Sequence, residues 1–228
     1  MSAEVMVSIS DFVLAGFSGL LAMKLQARPT EMRRTRRWFA IVLGAIAFSA
    51  LLGGIAHGFV PDERSRLGGL IWRATLMSIG PAAIGLWMLA SLLLFRPATV
   101  ERARSIALIA LAIYVGVVLF EYQKFMIALA LYLPAALLLL VGFAVDFRRR
   151  GESFAADGVI AMVITLVAGL LQYLRVGFHP VFFNHNAVYH LFQGVAVYFL
   201  YRAGSKWLEP NGSKVQVLKS QRLIAKIG

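Results

Sequence analysis

From one end of the chain to the other, long apolar runs alternate with short polar breaks, most of them basic. A bilayer core of about 30 Å needs roughly 20 apolar residues of helix to cross it. Seven stretches qualify, at about 5–27, 37–60, 68–95, 104–121, 125–146, 157–176 and 186–204. The third contains Gly80-Pro81 and the fifth Pro134, so a kink is expected in the third. The breaks are short, which makes consecutive helices antiparallel neighbours. No internal repeat or soluble domain interrupts the pattern. The pattern predicts an all-α membrane protein with a seven-helix transmembrane domain over residues 1–204 and a basic cytoplasmic tail over 205–228.

Charge sets the orientation. Lys and Arg gather on cytoplasmic ends, and eighteen of them lie at one set of ends: Lys24 to Arg37, Arg96 to Arg104, Arg148 to Arg150, and Arg202 onward. The opposite ends carry three: Arg64, Arg66 and Lys124. The N-terminus is therefore expected outside and the C-terminus in the cytoplasm, in a multi-pass protein of a cell membrane of the bacterial inner-membrane type. The first residues, "MSAEVMVSISDF", lack a basic n-region and do not read as a cleaved signal peptide.

Composition agrees. The chain of 228 residues is 60% hydrophobic with a mean hydropathy of +0.76, against about 45–50% apolar residues in a soluble domain. The net charge of +12 is clustered between apolar runs, so it points to topology and anionic membrane lipid and not to nucleic acid. The absence of cysteine excludes disulfides, thiolate metal sites and a cysteine nucleophile.

The polar residues inside the apolar runs are not scattered. Groups of this kind are costly in a membrane and usually face a cavity or one another. Asp11, His57 and Arg73 lie in the outer parts of the first three helices. Glu121, Tyr122, Gln172, Arg175 and His179 mark the outer ends of the fourth and sixth helices and the loop that follows. The segment "FNHNAVYHLFQG" (183–194) then opens the seventh helix with His185, Asn186, Tyr189, His190 and Gln193. One pocket opening outward is the economical reading, with Asp11, Arg73, Asn186, Tyr189 and Gln193 as ligand-binding groups. An Asp11–Arg73 ion pair is the plainer reading of those two residues. Asn186, His190 and Gln193 share a helical face. His185 and His190 stand about 140° apart on a regular helix. Both reach one site if the helix starts between them, capped by Asn184 or Asn186. Gly53, Gly54 and Gly58 thin the second helix around His57, allowing close approach of a neighbour.

The run "HNAVYHLFQGVAVYFLYRA" resembles the last transmembrane helix of the alkaline ceramidases, which belong to a set of seven-helix proteins that includes the progestin and adipoQ receptors. Their last helix carries two histidines four apart, an aromatic residue before the second, and an apolar run ending in a basic residue. Those histidines join one on the second helix to bind zinc, with a serine and an aspartate assisting. The resemblance places Tyr189-His190 on the second histidine and Asn186 on the first. On the second helix it matches His57, with Gly53 where the serine is expected. No aspartate stands near the outer end of the third helix.

Three functions compete. A receptor or binding protein would use the pocket for a small or lipid-like ligand. A zinc-dependent hydrolase of a lipid amide or ester would hold its metal with His57, His190 and His185, with Arg73 or Tyr189 on the oxyanion. A single b-type haem would take His57 and His190 as axial ligands. The receptor reading leads: the missing aspartate counts against the hydrolase, and an opening only to the outside suits a receptor better than a transporter. A retinal Schiff base has no lysine partner in the last helix.

Overall fold

The computed structural model describes residues 2–60, 62, 65–120 and 125–209. These residues form seven helices: α1 (Ala3–Gln26), α2 (Arg33–Phe59), α3 (Arg66–Leu94), α4 (Pro97–Phe120), α5 (Phe125–Arg150), α6 (Ser153–Tyr173) and α7 (His185–Trp207). Six of them, α1 to α6, are long and apolar enough to cross a membrane. The described residues are all-helical and compatible with a multi-pass membrane protein. Glu121, Tyr122, Lys124, Arg64 and the tail from residue 210 lie outside the described residues.

The helices overrun the apolar stretches at the basic end. α2 starts at Arg33, α4 at Pro97 and α6 at Ser153, and α5 runs on to Arg150. Helical hydrogen bonding does not stop where hydrocarbon stops, and a proline at the first position of α4 starts a helix at no cost in hydrogen bonds. At the C-terminus, α7 continues to Trp207, past the boundary expected at residue 204.

Six helices close a ring in the order α1, α2, α3, α5, α6, α7, with α7 packed back on α1. The fourth stays outside this ring. It packs chiefly on α3 and barely touches α5, so chain order does not give the neighbours throughout. Two features hold it there. A side chain at Gly80 would meet Leu111 at 2.6 Å, so this glycine is what lets α4 approach. The Tyr114 hydroxyl donates to the Leu76 carbonyl at 2.6 Å. The two helices with an interior proline remain continuous through Pro81 and Pro134.

The main core lies inside the ring, around Leu43, Leu86, Leu89, Leu139 and Met162. At the basic end an aromatic cluster closes it. Trp207 stacks on Phe154 at 5.0 Å between ring centroids and meets Phe39 and Phe143 edge-on. Two buried carboxylates also lie at this end, where the sequence suggests nearly all apolar residues. Asp157 binds Lys206 at 2.7 Å and Arg202 at 3.3 Å, and Asp146 meets Arg150 at 3.4 Å. The outer faces of the helices present Val13, Leu20, Phe48, Ile109 and Ile113.

Candidate functional site

The histidine end of the ring encloses a cavity of about 450 Å³, within the usual range for small-molecule sites. Every ring helix contributes. From α3 come Trp72, Thr75, Ile79 and Ala82, spaced three and four apart on one face. That spacing explains why Arg73, expected among the ligand-binding groups, does not line the cavity: one residue past Trp72, it lies about 100° off this face. The other expected groups, Asp11, His57, His185, Asn186, Tyr189, His190 and Gln193, all line it. The floor is apolar, with Leu14, Ile46, Ala50 and Ile79.

The partner of Asp11 is not Arg73 but His190. The imidazole Nε2 lies 3.2 Å from Asp11 Oδ1, and its Nδ1 lies 2.9 Å from Ser10 Oγ. Two consecutive residues of α1 thus straddle one ring from α7. Asp11 fits because α2 offers glycine opposite: a side chain at Gly53 would press on both carboxylate oxygens at 3.2 Å. Gly54 likewise makes room for the Phe12 ring, and Gly58 for Ser8, whose hydroxyl donates to the Gly54 carbonyl at 2.7 Å. The glycines of α2 therefore serve close helix packing.

The order Ser10–His190–Asp11 has the elements of a hydrolytic triad, but two facts decide against a nucleophile. The Ser10 hydroxyl has a second acceptor, the Val7 carbonyl at 2.7 Å. Ser10 also lies inside α1, where backbone N–H groups are engaged in helical hydrogen bonds, leaving no backbone pair beside it to hold an oxyanion.

His57 sits nearer the rim. Its Nδ1 meets Glu4 at 2.9 Å, and its ring lies edge-on to Trp72. Glu4 and Asp11 are seven residues apart, on one face of α1. Gln172 of α6 donates to Asn186 Oδ1 at 2.7 Å and ties the rims of α6 and α7 together. Asn184, not Asn186, caps α7, accepting from the Ala187 N–H at 3.0 Å. His185 is consequently the first helical residue and not part of the incoming loop. It lines the cavity above His190, with Arg175 and Glu4 as neighbouring charges. His179 builds the loop before α7. Its ring accepts from the N–H groups of Val181 and Phe182 at 3.2 Å each.

α6 ends in a Schellman turn. Val176 N–H donates to Leu171 C=O and Arg175 N–H to Gln172 C=O. Arg175 takes the left-handed position with φ of 54°, a place usually given to glycine. Its side chain lines the cavity. Strain of this kind clusters at functional sites.

Among the described residues, no group of three or more His, Asp or Glu side chains is close enough to hold one metal ion. The three histidines proposed for zinc share a cavity, but His57 faces Glu4 and His190 faces Asp11. Three buried oxygens of cavity-lining residues have no hydrogen-bond partner among the described residues: Asp11 Oδ2, Gln172 Oε1 and Gln193 Oε1. Asp11 and Gln193 are only 3% and 4% exposed.

A second, apolar groove runs along the outside between α1 and α7, lined by Ile9, Val13, Phe17, Leu191 and Val195. Leu14 and His190 line both spaces.

Sequence reasoning missed Ser10, Glu4 and Tyr132 as parts of the site. The seven-residue step from Glu4 to Asp11 was a readable signal, as was the face formed by Phe125, Ala128, Leu129 and Tyr132. Nothing local marks Ser10.

No curated protein and no solved structure matches the chain. A family of unknown function, DUF6962, matches residues 6–209, from α1 through the end of α7, and the protein belongs to that family.

Proposed function

We propose that the protein is a seven-helix integral membrane protein with its histidine end outside, and that its cavity holds a small or lipid-like ligand, as in a receptor or binding protein. The basic asymmetry between the two ends supports the orientation. The length of α7, 23 residues or about 34 Å, and its place in the ring support a seventh span.

One observation carries the ligand reading: three buried acceptors, Asp11 Oδ2, Gln172 Oε1 and Gln193 Oε1, belong to a single cavity wall and have no partner among the described residues. Each such group costs about 1–3 kcal/mol when unsatisfied. A solute bearing N–H or O–H donors removes that cost and covers the apolar floor at the same time.

Native mass spectrometry and thermal unfolding of the full chain in mild detergent test this. The expected result is a retained small molecule, or a solute that raises Tm, with the effect lost in the Gln172→Leu/Gln193→Leu variant. A cavity that takes up only water, with no solute raising Tm, overturns the reading. Stoichiometric zinc that is lost in His190→Ala would instead favour the zinc-hydrolase alternative.

A further inference from the structure

We propose that the ligand carries an ammonium group and that Asp11 Oδ2 is its counter-ion. This rests on the ligand-binding reading of the cavity. Asp11 is the deepest acidic group of the cavity wall, 3% exposed, and only one of its oxygens is partnered. The partner is an imidazole whose other nitrogen lies within reach of the Ser10 hydroxyl. The Ser10 hydroxyl has one proton and two acceptors in reach, the Val7 carbonyl at 2.7 Å and Nδ1 at 2.9 Å; in the proposed bound state that proton goes to Nδ1, and the ring is the neutral Nε2–H tautomer. It then gives Asp11 a hydrogen bond but no charge. A carboxylate so buried needs either a proton or a cation. The free oxygen belongs to the cavity wall, where a ligand can supply the cation.

The rest of the wall suits such a group. Gln193, three residues past His190 on α7, has a second unpartnered oxygen acceptor. Phe125, Tyr132 and Tyr189 add aromatic rings to the lining, and ring faces attract organic cations. Below them the apolar floor accepts a hydrocarbon body. The charges at the rim are mixed: Glu4 on His57, Arg175 beside His185.

The test compares two probes of one shape, 2-phenylethylamine and 2-phenylethanol, binding to the full chain in detergent at pH 7.5, read by calorimetry. The amine should bind at least about tenfold more tightly, the ratio expected for one charge-assisted hydrogen bond over a neutral one. Asp11→Asn should erase the preference, bringing the affinities of the two probes together. If that variant does not fold, the wild-type comparison still decides. Equal binding of both probes, or tighter binding of the alcohol, overturns the ammonium assignment and leaves the ligand-binding reading standing. Failure of both probes at millimolar concentration overturns the assignment and counts against that reading as well.

Discussion

Arg175 shows how much one residue can reveal that its neighbours in sequence do not. A left-handed arginine costs roughly 1 kcal/mol relative to glycine, and its side chain nevertheless stays on the cavity wall. Arg175→Gly should therefore raise stability by about 0.5–1 kcal/mol in thermal or denaturant unfolding while weakening or altering ligand binding. A loss of stability would show that the guanidinium is needed for packing instead. The sequence displays Arg175 only as a charge at a helix end, because backbone strain leaves no trace in residue type. Asp11 and His190 are different. Their cost in a membrane makes them conspicuous, and their place on one cavity wall was legible. Their pairing was not legible: Asp11 had Arg73 as a nearer candidate of opposite sign, and only the face of α3 that turns inward removes Arg73 from the choice.

The helices themselves were readable because a single property, sustained apolarity, determines them. Their neighbours were not, since hydrophobic runs are interchangeable as packing partners. The fourth helix makes the point. Short connections suggested α4 beside α5, whereas Gly80 and Tyr114 attach it to the outside of α3. A glycine beside a proline reads as a kink signal, and its second use as a docking notch appears only when Leu111 is seen against it. Tyr114→Phe should cost about 1 kcal/mol, one buried hydrogen bond. The loss should appear as faster hydrogen exchange confined to α4, with the cavity and its ligand affinity unchanged. Loss of ligand binding would mean that α4 supports the ring after all.

Across the whole molecule, the cavity is a product of ring closure. It draws on α1, α2, α3, α5, α6 and α7 together, and its central contact joins residues 10 and 11 to residue 190. That span also sets a problem of timing during synthesis. On the proposed seven-span topology, the first helix enters the membrane carrying Asp11 while its partner has yet to be translated. The last is the one helix of the seven among the described residues that is not apolar enough to qualify as a span unaided. Each thus lacks something that the other supplies. An uncompensated Asp costs up to about 2.5–3.5 kcal/mol in a helix entering the membrane. The six earlier helices must hold an opening until α7 arrives, and α7 must be recruited by that opening more than by its own hydrophobicity. A topology reporter fused after Gly228 should report the cytoplasmic side in the full chain. The same reporter behind residues 185–228 alone should show no insertion, and Asp11→Leu in the full chain should leave a measurable fraction of molecules with α7 outside the bilayer. Efficient insertion of the isolated segment would remove this dependence. If it holds, the buried pair that shapes the cavity is also the signal by which the chain recognises that its membrane assembly is complete.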